Sequence, residues 1–191
     1  MNLAQLLVFS AQLHSVLSKA GDQYTSFAGP FLAYVHRLYP CQTNGSTTLH
    51  IRASHFNPAK PWMKQTLTGN TSMTFTITDV YWGRARMDVR SNNQWKENAF
   101  VFKLPGGACS ILRGNIPSLF RILYNGVAAD PKSPCRIPKG TYEFEDEPVD
   151  WVFPNAPIMP YGFYRFLGSF GLGSTIETCI TAECQIIPKV V

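Results

Sequence analysis

The chain has 191 residues, 45% hydrophobic and 15% charged, with a formal net charge of +5. That length suits one well-packed domain rather than two, and 13% aromatics with 14 Gly and 14 Pro exclude a disordered or low-complexity chain. The mild basic excess allows attraction to anionic membranes or acidic glycans, but no Lys/Arg run suggests a groove for nucleic acid, so no nucleic-acid partner is expected.

Residues 1–20, MNLAQLLVFSAQLHSVLSKA, form an apolar stretch without an acid, and Ser18 and Ala20 are small residues of the kind a signal peptidase prefers. They read as a signal peptide, which leaves residues 21–191 as a single β domain and predicts a secreted, extracellular protein. A buried N-terminal helix is the competing reading, since Gln5, Gln12 and His14 interrupt the run. Removing the leader deletes Lys19 and no acid, taking the charge from +5 to +4. Asn44 and Asn70 each open an Asn-x-Ser triplet and are expected glycosylation sites in turn-like surroundings. All five cysteines, Cys41, Cys109, Cys135, Cys179 and Cys184, follow the leader and none form a C-x-x-C pair. Two disulfides and one leftover thiol is the simplest arrangement, and the sequence alone leaves the pairing open. The odd thiol leaves an intermolecular bridge, and hence the oligomeric state, open as well.

Strict alternation then sets in, the mark of strands with one wet face. In TLHIRAS, Leu49, Ile51 and Ala53 oppose His50, Arg52 and Ser54. TSMTFTITDV sets Met73, Phe75 and Ile77 against Thr74, Thr76 and Thr78, and RARMDVR sets Ala85, Met87 and Val89 against Arg84, Arg86, Asp88 and Arg90. NAFVFKL (98–104) and YGFYRFLGSF (161–170) are apolar on both faces and are expected to be enclosed. TIETCITAECQII (175–187) predicts a long last strand with Cys179 and Cys184 on opposite faces. Turn chemistry is expected at Gly69–Asn70, at residues 91–93, at residues 105–107 and at residues 171–174.

NIPSLFRILYNG breaks the period. Ile116, Leu119, Phe120, Leu123 and Tyr124 lie on one face of a helix, with Asn115 as N-cap, Pro117 in the first turn and Gly126 at the end. One short helix near 115–125 is predicted in an otherwise all-β chain. The stretch PVDWVFPNAPIMPYGFYRF (148–166) is too short and too rich in proline to cross a membrane as a helix. It reads as one strand face (Val149, Trp151, Phe153), a corner whose tip is Ile158 and Met159, and the start of the next strand.

The search for chemistry finds no nucleophile motif, zinc spacing or phosphate loop, and His36, His50 and His55 read as surface histidines. Glu143, Glu145, Asp146, Glu147 and Asp150 read as the solvated face of a strand rather than a calcium site. No enzyme, cofactor or metal is expected.

The second half carries a resemblance. GGACSILRGNIPSLF, the element Cys135, Pro138, Gly140, Thr141, Tyr142, the run Gly162, Tyr164, Arg165, a following hairpin with Cys179, and the strand start LTGNTSMTF together resemble the lipid-recognition (ML-type) family of secreted β-cup proteins. The likeness is to its ganglioside activator-like members and their arthropod chemosensory-type relatives. It implies an antiparallel β-sandwich of the immunoglobulin-like lipid-recognition type, opened into a cup that binds without chemistry. It also implies the disulfides Cys41 with Cys179 and Cys109 with Cys135, and gives Cys184 no counterpart.

The candidate ligand contacts are then the apolar faces Met73, Phe75, Ile77, Met87, Val89, Phe100, Phe102, Leu119, Phe120, Leu123, Trp151, Phe153, Phe163 and Phe166, with Ile158 and Met159 as a lip for the membrane or the portal. The expected function is a carrier or presenter of a lipid or other apolar small molecule, in chemosensation or lipid transfer, with transient contact to a membrane or receptor. The alternative is an extracellular interaction protein with a filled core that docks a receptor or glycan.

Overall fold

The computed structural model describes residues 27–43, 45–104 and 107–189. The leader at 1–20 and the sequon residue Asn44 lie outside the described residues. Within them the elements run β1 (Ala28–Gly29), β2 (Phe31–Pro40), β3 (Thr48–Ala53), β4 (Thr66–Met73), β5 (Ile77–Thr78), β6 (Trp82–Ser91), β7 (Gln94–Leu104), α1 (Ala108–Asn115), α2 (Pro117–Leu123), β8 (Arg136–Ile137), β9 (Gly140–Pro148), β10 (Met159–Pro160), β11 (Gly162–Leu172) and β12 (Thr175–Pro188). The protein is an all-β antiparallel sandwich: a five-stranded sheet, β2-β12-β11-β6-β7, faces a three-stranded one, β3-β4-β9, and short pairs β1-β10 and β5-β8 sit beside them.

The alternating segments take the expected faces. Leu49, Ile51 and Ala53 are half-buried while His50, Arg52 and Ser54 are exposed. The hairpin from β6 to β7 turns on Asn92 and Asn93, both with positive φ, the backbone a two-residue turn with the right twist requires. β11 is central and enclosed, and β12 runs unbroken with Cys179 beside Ser169 on one face and Cys184 beside Tyr164 on the other.

Several expectations change. The run from Met73 to Thr78 is two strands, because Met73 pairs with Gly140 and Ile77 with Ile137. Pro138 lies between those partners without an N–H to carry the ladder across. Gly69–Asn70 is not a turn: both lie inside β4, where a register shift between Leu67 and Gly69 and φ of 151° at Gly69 mark a bulge. There Gly69 packs so closely on the His50 carbonyl that a side chain has no room. β7 is an edge strand, so Val101 and Phe102 are exposed rather than enclosed.

The single predicted helix is a pair broken at Ile116, φ −137° and ψ 62°. A residue preceding proline is pushed out of the helical region, and Pro117 then starts α2 where its missing donor costs nothing. Asn115 is therefore not a cap; its amide donates to the Ile111 carbonyl at 2.8 Å. The cap of α1 comes instead from Asp79, which accepts from the Ser110 N–H at 2.8 Å and its hydroxyl at 2.6 Å.

Two disulfides pin this frame. Cys41–Cys179 spans 138 residues and ties β2 to β12, and Cys109–Cys135 spans 26 and closes the helical loop. By loop-closure entropy the longer is worth about 5 kcal/mol and the shorter about 3.5 kcal/mol. Arg113 lies beneath the shorter one, its guanidinium donating to the carbonyls of Ala128, Asp130 and Ser133 at 2.9, 2.7 and 3.0 Å.

The two sheets are joined by buried Gln65. Its Nε2 donates to the carbonyls of Val35 and Ser54 at 2.8 and 2.7 Å. Its Oε1 accepts from the Val35 N–H at 2.9 Å and from Trp151 Nε1 at 3.1 Å. One amide thus satisfies an edge strand, a loop and the corner after β9. Farther along β4 on the same inner face, the Thr71 hydroxyl donates to the Leu123 carbonyl at 2.8 Å and seats α2 on β4.

Candidate functional site

The register of the five-stranded sheet decides what faces inward. Tyr164 stands between Val89 and Cys184, and Phe166 between Met87 and Ala182; Phe100 continues the row from Met87, and Phe102 stands opposite Ala85. Side chains alternate between faces, so all of these project to one side. That side faces the other sheet, because Leu38, which pairs with Ala182, packs into the apolar cluster there.

Two separate apolar clusters result. One holds Leu67, Met73, Ile77, Phe120, Leu123, Phe144 and Val149 between the three-stranded sheet and the helices, with Phe75, Leu119 and Trp151 against it. The other lies on the inner face of the five-stranded sheet. Only Met87, Tyr164 and Ile186 are buried in it; Val89, Phe100, Phe166, Met159, Phe31, Tyr161 and Cys184 are half-buried around them. The sheets approach through β3 against β2 and β12, and at the far edge Phe102 is 47% exposed. The inner face is thus well covered on one side and open toward β6 and β7.

The sixteen candidate ligand contacts therefore separate. Met73, Ile77, Phe120 and Leu123 are buried core, and Phe75, Leu119 and Trp151 pack on it. Met87, Val89, Phe100, Phe102 and Phe166 line the open face. Phe163 is a correction: it lies three residues from Phe166, an odd spacing that puts it on the opposite face, where it packs on His36 and Trp95 with ring centroids 5.1 and 5.7 Å apart. Met159 is also a correction, half-buried in β10 against the inner cluster rather than at an exposed tip. Val149, Trp151 and Phe153 do turn inward, but from an irregular segment. Phe153 stacks on Phe31 of the inner cluster, with ring centroids 6.1 Å apart.

Tyr164, Cys184, Ile186, Phe31 and Tyr161 were missed on this face. Tyr164 was legible, since it shares parity with Phe166; Phe31 and Tyr161 sit beside a short strand pair that no local pattern announces. Burial pushes the Cys184 thiol up to about 12, and burial raises Tyr164 as well, with Cys184 adding to it. The Tyr164 hydroxyl donates to the Pro160 carbonyl at 3.0 Å.

The end of the sandwich beside this face is apolar at its tips. Lys64 pairs with Asp150 at 2.9 Å and Val149 N–H donates to the Gln65 carbonyl at 2.9 Å, which lays the β3–β4 loop along the 149–158 corner. Trp62 (74% exposed), Met63, Val152, Ile158 (62% exposed) and Phe27 all stand out of this end, with exposed Lys60 and Lys64 among them.

Other features behave differently. An open surface pocket of about 430 Å³ lies at Thr78, Asp79, Val80, Pro134, Cys135 and Arg136, and none of the candidate ligand contacts lines it. Asp79 approaches Cys109 and Cys135, but both sulfurs are bonded to each other. His50 and His55 are exposed, and His36 Nε2 lies 3.3 Å from Gln185 Oε1. The acidic residues Glu143, Glu145, Asp146 and Glu147 are exposed on β9. Asn70 sits mid-strand between His50 and Glu143 on the outer face of the three-stranded sheet, not in a turn. No described helix is long and apolar enough to cross a membrane. Comparison of the chain with known protein families and with curated proteins finds no match.

Proposed function

We propose that the protein is a secreted, non-enzymatic binding protein that holds a lipid or other apolar ligand between its sheets, against the inner face of the five-stranded one. The observation that carries this reading is the row Met87, Val89, Phe100, Phe102 and Phe166, large apolar side chains turned inward yet mostly left half-buried or exposed. Covering one such side chain fully is worth about 1.5–3 kcal/mol. An acyl chain or similar ligand laid along the row supplies that cover. The resemblance to the lipid-recognition family, including its chemosensory-type members, supports the same reading. Two disulfides support an oxidising, extracellular compartment, where Asn44 and Asn70 are glycan acceptors.

The apolar end gives the carrier a means of exchange. Trp62, Met63, Val152 and Ile158 enter the interfacial region of a membrane while Lys60 and Lys64 stay at headgroup level. Native mass spectrometry of protein purified without detergent is expected to show a bound lipid, and a fluorescent fatty-acid probe is expected to bind and to be lost in Phe166→Asp. If no lipid co-purifies and no probe binds the wild type, the reading fails in favour of a filled-core interaction protein.

A further inference from the structure

The outer face of the five-stranded sheet is built differently from its inner face. Along β6, Trp82, Arg84, Arg86, Asp88 and Arg90 all project outward, each two residues from the next. Arg165 on β11 stands beside Asp88, and Arg37 on β2 joins the same row through Glu183. Five of the chain's nine arginines therefore share one face. Asp88 does not offset them outward: it is 0% exposed, and its carboxylate is consumed by Arg165 at 2.7 Å and by the Asn98 N–H at 2.9 Å.

The arginines are held in place. Arg84 lies over the Trp82 ring at 4.5 Å. At the other end of β6, Arg165 lies 4.8 Å and Arg90 6.0 Å from the Trp95 ring. A guanidinium stacked on indole is oriented by the ring while its N–H donors point away from it. Arg84 and Arg90 of the two stacks are six residues apart along β6, about 20 Å at strand rise, with Arg86 between them.

We infer that this face is a docking surface for a sulfated, carboxylated oligosaccharide of the heparin type. Sulfate and carboxylate groups match the fork of donors on each guanidinium, and a sheet face with arginines spread over about 20 Å fits a linear polyanion. Single-stranded nucleic acid is disfavoured because its capture uses open aromatic faces for base stacking, and both tryptophans are already covered by guanidinium. On this face Glu97 lies 3.7 Å from Arg165 and Glu183 stands between Arg165 and Arg37, so the outward charge rests on Arg84, Arg86 and Arg90, while exposed Glu143, Glu145, Asp146 and Glu147 lie on the other sheet. The choice of a glycan rests on the extracellular placement proposed above, whereas the basic face and the apolar inner face are independent.

The test uses the whole protein and a heparin-derived oligosaccharide of defined length, measured by calorimetry and by salt elution from heparin resin and from a sulfopropyl cation exchanger. Wild type is expected to bind and to need more salt on heparin than on the exchanger. Arg84→Gln with Arg90→Gln is expected to weaken binding by about tenfold or more, while Lys60→Gln with Lys64→Gln changes it by less than about twofold. Unchanged circular dichroism would establish that the arginine variant is folded. The inference is overturned by absent wild-type binding at low salt, by equal elution from the two resins, or by equal losses in both variants. It is also overturned if the arginine variant loses binding to phosphatidylserine vesicles but keeps the oligosaccharide, which would make the face a membrane contact.

Discussion

Phe120 is 0% exposed on α2 and Phe102 is 47% exposed on β7, although each is the apolar residue its local pattern turns inward. The difference lies in what stands opposite. Phe120 meets the three-stranded sheet, the Cys109–Cys135 loop and Tyr124, whose ring is 5.1 Å away; Phe102 sits on an edge strand at the open side of the sandwich. One half of the molecule is a closed core and the other is an apolar wall with incomplete cover. Alternation within a strand says which way a side chain points, and only the partner layer says whether anything meets it.

The sharpest way to break this comparison is to truncate both rings. Phe120→Ala is expected to cost about 3–5 kcal/mol in urea unfolding, the range for a buried aromatic that leaves a cavity. Phe102→Ala is expected to cost less than about 1 kcal/mol, yet to weaken binding of a fatty-acid probe. Equal costs would mean that the open side is closed in solution.

Gln65→Leu comes next, because the clamp between the halves depends on it. Removing the amide leaves the Val35 N–H and carbonyl and the Trp151 N–H without their partner, and each buried polar group so orphaned costs about 1–3 kcal/mol. A loss of roughly 3 kcal/mol or more is expected in the same unfolding experiment. A smaller loss, below about 1 kcal/mol, would show that side-chain packing between the sheets holds them together without the amide.

How far the sequence disclosed this arrangement follows from the range of each signal. Parity is local, so the faces of β3, β6, β11 and β12 were legible, as were the turns at Asn92–Asn93 and Gly173. The break at Ile116 was equally local but was overridden by the helical run around it. Gln65 was not legible: nothing near it in the chain reveals that Val35, thirty residues earlier, and Trp151, 86 residues later, would meet on its amide. Asp88 read as a solvated strand residue and is buried because Arg165 and the Asn98 backbone, both distant in sequence or across a bulge, close over it. Residues 154–160 were read as a corner after a strand face at 149–153; no strand forms at 149–153, and pairing of Met159 with Gly29 leaves Ile158 and Val152 as the exposed tips.

Asp88 gives a pH test of the basic face without touching the apolar one. Burial alone would raise its carboxyl, but the Asn98 N–H, the Arg165 guanidinium and the Arg86 charge outweigh burial and hold it below the usual carboxylate range. A depressed folded value means that the unfolded chain takes up the proton more readily. The contribution is complete above pH about 4 and is lost as the pH falls from there through the depressed value. Thermal unfolding of the wild type is expected to drop more steeply with acid in that window than that of Asp88→Asn, which is already destabilised at neutral pH. Parallel curves would remove Asp88 from the acid response.

The smallest change in stability is expected at the apolar end. Trp62→Asp with Ile158→Asp alters two of the most exposed large side chains in the described structure, neither of which packs on either apolar cluster. Unfolding should shift by no more than about 0.5 kcal/mol, as for ordinary surface substitutions. Transfer of a fluorescent lipid from protein to vesicle should nevertheless slow, while equilibrium binding of the same probe in solution stays unchanged, because under the proposed function membrane contact belongs to the tips and the ligand to the inner face. Loss of equilibrium binding would move the ligand from the inner face to the end loops and dissolve the distinction between wall and mouth. Unchanged transfer would leave the tips without a membrane role and leave uptake to the open edge at Phe102.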